Sequence, residues 1–190
     1  GSEMCIRDRL YTIEDAENVK QYVTTCEYGE DVELCEGVSV RFDDAGHLLG
    51  SACIPVTATE NGVTKKLIFS GALGNVDQPI IRDPSHFGGA DYVIMESTYG
   101  NRNHTEVWSY TENLAKIIDD TMARGGNVVI PAFAVGRTQE LLYFIREIKD
   151  KQLVKSNPDF PVYIDSPLAR RATTIFTGDL DGYLDADALA

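Results

Sequence analysis

Apolar and polar residues alternate along much of the first half of the chain, and this period of two predicts β-strands. Residues 32–42 alternate in this way around Glu36-Gly37, which predicts a hairpin with its turn at that dipeptide. Two further predicted strands, 54–58 and 63–69, lie on either side of Asn61-Gly62, a strong signal for a two-residue hairpin loop. The first half is therefore predicted to be rich in antiparallel strands.

In the second half, short apolar runs are each followed by a helical pattern. The runs predict strands at 92–95, 127–130 and 162–164. The first two lack alternation, as expected of strands buried on both faces. Apolar residues at helical spacing predict helices at 108–124, 138–149 and 167–176. Strand and helix in alternation indicate a parallel α/β sheet.

The two ends of the chain are interpreted separately from this pattern. Residues 1–9 are expected to be a leader outside the fold, because they begin like a cloning remnant and fit poorly with the pattern that starts at residue 10. A helix is predicted at 12–22, with Thr12 as its N-cap and Asp15 in the capping-box position. Residues 181–190 are acidic and small, and we expect a frayed end.

Composition places the chain among soluble globular proteins, with 43% hydrophobic and 25% charged residues in a length of 190. No apolar run approaches the roughly 18 residues of a membrane span, and no secretory segment is visible, so we expect no membrane association. The four cysteines form no C-x-x-C pair and are expected to be free thiols of a cytoplasmic protein. The net charge of −13 argues against nonspecific nucleic-acid binding, but it does not exclude a metal-dependent nuclease, whose cations attract phosphate.

Candidate chemistry lies at the ends of the predicted strands. His47 lies between Gly46 and Gly50, where backbone can approach a ligand closely, and a neutral imidazole there is suited to bind zinc. A loop histidine hydrogen-bonded to backbone is the more common interpretation of a single residue. The segment 69–75 ends another strand in a glycine turn that could present a ligand, but Ala72 has no ligand atom.

Two further strand ends carry charged residues. Glu96 follows the strand at 92–95 directly, and the carboxyl ends of parallel strands are where α/β sites form. The hydroxyls of Ser97 and Thr98 come next, and turn or helix capping explains them as well. Arg137 begins a helix after a glycine turn, where it can bind a phosphate or pair with a neighbouring carboxylate.

Five segments, taken together and in this order, resemble the β-CASP branch of the metallo-β-lactamase superfamily. They are DAGHLLGSA (44–52), FSGALGN (69–75), MESTYGNR (95–102), PAFAVGRTQELL (131–142) and YIDSPLA (163–169). That branch includes RNA 3′-end-processing endonucleases and bacterial ribonucleases. The resemblance implies an α/β fold in which part of the αββα metallo-β-lactamase sandwich, at 10–100, continues into part of a β-CASP domain, at 101–190.

The resemblance also implies roles for individual residues. Two zinc ions in this family activate a bridging water that attacks the phosphodiester, so zinc is the expected cofactor and RNA the expected partner. His47 aligns with a metal-ligating histidine. Glu96 matches an acidic residue that orients hydrogen bonds of the active site, and Ser97 and Thr98 are expected at the substrate. Arg137 would lie near the RNA path.

Three departures from the family pattern change the expected activity. The His-x-His-x-Asp-His motif, which would precede residue 10, is absent, and Ala72 stands where an aspartate bridges both metals. The remaining family histidines would lie beyond residue 190, and neither His86 nor His104 matches a ligand position. A catalytic zinc site needs about three protein ligands, so we expect an inactive fragment that does not hold both ions.

Two other interpretations stay open. A degenerate, non-catalytic paralogue acting as a binding or scaffold subunit would carry Ala72 naturally. A superfamily member that hydrolyses a small ester or thioester fits less well with the β-CASP-like segments after residue 95. The missing first half of the sandwich should leave sheet surface uncovered, and we expect exposed apolar area and self-association through it, as a homo-oligomer or by strand pairing.

Overall fold

The computed structural model describes residues 10–103, 110–178 and 183–184. Within these ranges the chain has a mixed α/β fold, as predicted. The strands are β1 (Asp31–Cys35), β2 (Val38–Arg41), β3 (Asp43–Asp44), β4 (Ala52–Glu60), β5 (Val63–Phe69) and β6 (Tyr92–Ile94). The helices are α1 (Ile13–Asn18), a 3-10 turn (Val19–Tyr22), α2 (Tyr110–Ala123), α3 (Arg137–Asp150) and α4 (Pro167–Phe176).

The sheet runs in the order β1-β2-β4-β5-β6, with the short β3 paired to the start of β4. Both predicted hairpins are confirmed. Gly37 has a φ of 79° at the first turn, and Asn61 and Gly62 have φ of 50° and 77° at the second, as a type I′ turn requires. Because directly paired residues of neighbouring strands share a face, the register fixes which side chains lie on each side of the sheet.

Two helix starts are fixed by their own caps. Thr12 and Asp15 form the predicted capping box, with the Thr12 backbone N–H donating to Asp15 Oδ2 at 2.8 Å and Asp15 N–H donating to Thr12 Oγ1 at 3.2 Å. The predicted helix at 12–22 changes to a 3-10 turn after Asn18. At α4, Ser166 Oγ accepts the Ala169 N–H at 3.1 Å.

The larger of two clusters of buried apolar side chains lies between α2, α3 and the segment that follows α3. Ile148 and Val154 are 0% and 1% exposed, and they pack in one cluster with Ala115, Ile118 and Phe160. A second cluster joins the two halves of the chain. It consists of Ile80, Ile81 and Leu184, and an antiparallel bridge links Ile81 to Leu184.

Of the three strands predicted at 92–95, 127–130 and 162–164, only the first is present among the described residues, as β6, which pairs with β5 in parallel. Segments 127–130 and 162–164 are not strands, and Val129 and Tyr163 in them are 88% and 85% exposed. β6 is a strand, but it is an exposed edge and not a buried one, with Val93 58% exposed. The cause is tertiary: an apolar run becomes a buried strand only where neighbouring strands and helices cover it, and among the described residues β6 pairs with β5 alone.

Some predictions fall outside the described residues. They concern residues 1–9, with Cys5, the start of the helix predicted at 108–124, His104, and most of 181–190. Cys26, Cys35 and Cys53 are free thiols. In the described ranges, every helix is too short or too polar to cross a bilayer.

Replacing Ile148 by alanine should lower the free energy of unfolding by about 2–5 kcal/mol, because it removes buried methylene groups and leaves a cavity. Urea unfolding followed by circular dichroism measures this change. Ile117→Ala is the matched control, since Ile117 is 55% exposed and its loss should cost at most about 1 kcal/mol. Equal losses in the two variants would show that the α2–α3 cluster is not the stabilising core.

Candidate active site

The loop that carries His47 is held by short hydrogen bonds at both ends. Asp44 Oδ1 accepts the Gly46 N–H at 2.8 Å, and Ser51 Oγ accepts from His47 N–H and Leu48 N–H at 3.2 and 3.1 Å. The His47 side chain is exposed and makes no hydrogen bond to another described residue. The backbone is therefore fixed while the imidazole stays accessible to a ligand.

Glu96 connects the ends of β5 and β6. Its Oε1 accepts the Leu73 backbone N–H at 2.6 Å, and its Oε2 accepts the Thr98 hydroxyl at 2.7 Å. Its own backbone N–H donates to Ser70 Oγ at 3.1 Å. One carboxylate oxygen thus holds the turn after β5 and the other holds Thr98 after β6, and the orienting role of Glu96 in an active site stays a prediction.

The hydrogen bonds at this edge of the sheet shift the pKa values of its carboxyl groups. The Thr98 hydroxyl and then the Leu73 N–H lower the pKa of the Glu96 carboxyl, and the nearby His47 imidazole acts in the same direction. The structure therefore brings His47 and Glu96 into one electrostatic neighbourhood. Burial raises the pKa of the Asp44 carboxyl, and the Gly46 N–H opposes that shift.

The His47 loop and the turn after β5 touch through their backbones. Gly74 N–H donates to the Ala45 carbonyl at 2.9 Å. A Cβ on Gly74 would lie 1.5 Å from the Gly46 carbonyl oxygen, so only glycine fits there. Ala72, in the same turn, is exposed and offers no donor atom. The position predicted to have lost a metal ligand therefore lies in the turn that this contact holds beside the His47 loop.

The start of α3 lies against the same loop. Gly136 has a φ of 84°, and a Cβ on it would come within 2.4 Å of Leu48 Cδ2. Gln139, 4% exposed, accepts the Gly136 N–H at 2.8 Å and donates to Thr173 Oγ1 at 2.9 Å. This buried amide ties the turn before α3 to α4, and so fixes where Arg137 begins its helix.

Arg137 pairs with a neighbouring carboxylate, which is one of the two alternatives that the sequence leaves open. Its Nη1 lies 2.7 Å from Glu140 Oε2, and its side chain is 59% exposed. Glu140 and His47 line the same small cleft, together with Gly136. Glu140 is only 17% exposed, whereas more than half of the Arg137 side chain faces solvent, so part of the guanidinium stays accessible beside this pair. The strand-end segments that carry His47, Ala72, Glu96 and Arg137 therefore lie close together around the His47 loop.

Two functional contacts were not predicted from sequence. Ser70, 6% exposed, and Gln139 are buried polar residues whose partners lie far along the chain. The sequence did contain a signal for each. Ser70 is a polar residue directly after a strand, and Gln139 lies in the first turn of a helix that follows a glycine. Ser97 is exposed, and its carbonyl accepts the Gly100 N–H at 3.2 Å in a local turn.

The donor set of the described residues does not fit a complete zinc site. No group of three or more histidine, cysteine, aspartate or glutamate side chains could hold a metal among them. The His47 imidazole is exposed and could bind a metal, but both Glu96 oxygens accept hydrogen bonds and the Ala72 side chain has no ligand atom. A catalytic zinc ion needs about three protein ligands and an open position, so this part of the chain supplies a minority of them.

Replacing Gly74 by alanine should push apart the His47 loop and the turn after β5, and lower the free energy of unfolding by about 1–3 kcal/mol. Gly88→Ala is the control, because a Cβ there meets nothing within 4 Å, and its effect should stay within about 1 kcal/mol. Urea unfolding of both variants gives the comparison. A Gly74→Ala protein as stable as the Gly88→Ala protein would contradict the close backbone contact.

Comparisons with known proteins agree with this arrangement. Residues 138–187 match the Beta-Casp domain family. The chain is 36% identical over 163 residues to Ribonuclease TTHA0252 of Thermus thermophilus, covering 86% of this chain and 36% of that protein. It is 30% identical to an RNase J-like protein of Methanocaldococcus jannaschii, covering 88% and 39%. It is also 30% identical to Transcription termination factor FttA of Pyrococcus abyssi, covering 90% and 26%.

The chain spans between about a quarter and two fifths of the length of these relatives. The matches nevertheless extend over most of the chain, from the strands to the helices, and the family model falls on α3 and α4. Together with the mixed α/β fold and the ordered strand-end segments, they show that the chain belongs to the β-CASP family of metallo-β-lactamase-fold proteins.

Proposed function

We propose that this chain is a segment of a zinc-dependent RNA phosphodiester hydrolase, and that it is inactive by itself. The observation that carries the proposal is the meeting of His47, the Ala72 turn and Glu96 at one edge of the sheet. Relatives named as ribonucleases support RNA as the substrate class. The alanine where the family has a bridging aspartate supports inactivity.

Each residue at this edge has a distinct proposed role. His47 is the metal ligand, because its imidazole is exposed on a fixed loop. Glu96 orients the strand ends through its two accepted hydrogen bonds, and Thr98 positions that carboxylate and not the substrate. Ser97 and Arg137, both exposed, are the groups available to RNA.

A non-catalytic binding or scaffold subunit is the second candidate. It is favoured by one observation: the framework of the site is intact although Ala72 has no ligand atom. The exposed thiols of Cys26 and Cys35 suit a reducing compartment. We therefore propose a cytoplasmic location under both candidate functions. The two candidates differ in whether restoring an aspartate restores metal binding.

The purified chain should hold close to no zinc, and Ala72→Asp should bind zinc at least about tenfold more tightly, because it adds a second ligand beside His47. Elemental analysis and a zinc titration measure the two quantities. Ala72→Asn is the matched control, since it has the same shape without the charge and should bind little more than the parent chain.

Two results would decide against the proposal. A zinc content near two ions per parent chain would show that the set of metal ligands is complete, and the proposal of inactivity would then be wrong. No gain in Ala72→Asp over Ala72→Asn would remove the metal-site assignment and favour the scaffold subunit.

We also propose that the chain self-associates through its exposed apolar surface. β6 is an unpaired edge among the described residues, and its three residues Tyr92, Val93 and Ile94 are 56%, 58% and 47% exposed. An exposed apolar edge strand offers unpaired N–H and C=O groups to another chain. The described structure therefore has the surface that strand pairing between copies requires.

Light scattering should show an apparent mass that rises with protein concentration, and Val93→Lys should reduce the rise, because lysine on an edge strand opposes pairing. Ile117→Lys is the control: Ile117 is 55% exposed but lies on α2, outside the sheet. A monomer at all concentrations, or equal effects of both lysines, would contradict association through β6.

A further inference from the structure

The loop that carries His47 closes on Ser51. The Ser51 hydroxyl oxygen accepts the His47 and Leu48 N–H groups at 3.2 and 3.1 Å, and the Ser51 carbonyl accepts the Ala45 N–H at 3.2 Å. The Ser51 N–H donates back to the Leu48 carbonyl at 2.9 Å. These bonds join residues a few positions apart, so they set the shape of the loop but not its position relative to the rest of the protein.

Contacts from elsewhere in the chain hold the loop at both of its ends. At its start, the Ala45 carbonyl accepts the Gly74 N–H at 2.9 Å. At its end, the Tyr28 hydroxyl donates to the Ser51 carbonyl at 2.8 Å. A carbonyl oxygen has two lone pairs, and of the two donors to this one the phenol makes the shorter bond. Tyr28 therefore holds the residue that closes the His47 loop.

The Tyr28 side chain is itself held in place. The next residue, Gly29, has a φ of 79°, and its N–H donates to the Phe42 carbonyl at 2.8 Å, which fixes the backbone beside the end of β2. The Tyr28 ring is half-buried and its centroid lies 5.6 Å from that of Tyr183. The Tyr183 hydroxyl donates in turn to a carboxylate oxygen of Glu27. Because the ring is already restrained, its hydroxyl can hold Ser51 with little further loss of side-chain entropy.

The Tyr28 hydroxyl is a donor throughout the physiological pH range. Burial, followed by the charge of Asp44 and the Tyr183 phenol, raises the pKa of the Tyr28 phenol to about 12. Below that pH the group keeps the proton that the Ser51 carbonyl accepts. The hydrogen bond is therefore a constant restraint on the loop, and its contribution is geometric.

We propose that Tyr28 is a positioning residue of the candidate active site, and that it holds the His47 loop in place through the Ser51 carbonyl. The inference rests on the proposed function in one respect, that His47 is a metal ligand. Tyr28 acts through another residue, because its hydroxyl proton is directed at Ser51. Groups that orient a ligand from outside the coordination sphere affect metal affinity strongly, since a loosely held imidazole binds a metal less tightly.

The first test uses Tyr28→Phe in the full chain, which removes the hydroxyl and keeps the ring. Amide hydrogen exchange, followed by NMR without added metal, should become about three- to tenfold faster at His47 and Leu48, because the loop loses one of its restraints. Thr111→Val is the matched control. It removes another part-buried hydroxyl, whose 2.8 Å hydrogen bond to Glu147 lies outside the loop, and should change those two rates by less than about twofold.

The second test measures zinc binding in the Ala72→Asp chain. Adding Tyr28→Phe should weaken its zinc affinity by about tenfold, whereas adding Thr111→Val should change it by less than about twofold. A zinc affinity that rises with Ala72→Asp but does not fall with Tyr28→Phe would overturn the proposal.

The exchange rates decide independently of the metal. Unchanged rates at His47 and Leu48 in Tyr28→Phe would overturn the proposal, because the loop would then be held without the phenol. Equal acceleration in Tyr28→Phe and Thr111→Val would overturn it too, since the loop would respond only to overall stability. An Ala72→Asp chain that gains no zinc affinity rejects the metal site of the proposed function, and the exchange comparison still decides whether Tyr28 holds the loop.

Discussion

The candidate site depends on a close backbone contact that is possible only because residue 74 is a glycine. Gly74 donates to the Ala45 carbonyl at 2.9 Å, and its Cα lies so close to Gly46 that a methyl group would overlap the carbonyl oxygen. On its other side, the same turn is held by the Glu96 carboxylate through the Leu73 N–H. Because the turn is held from both sides, the position of His47 relative to the strand ends is set by main-chain geometry and one carboxylate.

This division explains how the site can keep its shape while lacking a ligand. The groups that build the framework are glycines, backbone amides and Glu96, and none of them needs the residue at position 72. An aspartate there would add charge to the edge but no framework contact. A scaffold with unchanged geometry and reduced metal affinity is thus a physically consistent state, because folding and ligation rest on different atoms.

Local chemistry was predictable from the sequence, and burial was not. The Asn61-Gly62 turn and the Thr12–Asp15 capping box depend on residues within a few positions of each other, so their sequence signals suffice. The strands predicted at 127–130 and 162–164 were wrong, because a strand forms only beside a partner strand and the apolar run itself does not encode that partner. The resemblance indicated His47 and Glu96, but Ser70 and Gln139 were missed, since a buried polar residue is recognisable only once its distant partner is known.

The register of β5 sets the geometry of the candidate active site. Pairing of Lys66 with Thr57 fixes the alignment of β5 with β4, and the parallel pairing of Phe69 with Ile94 continues into the Ser70 N–H bond to the Ile94 carbonyl at 2.9 Å. That bond brings Ser70 Oγ to the Glu96 N–H. A slip of one residue would turn Lys66 to the other face and separate Ser70 from Glu96 together. The candidate active site therefore depends on the alignment of β5 with its two neighbours, because that alignment decides whether Ser70 reaches Glu96.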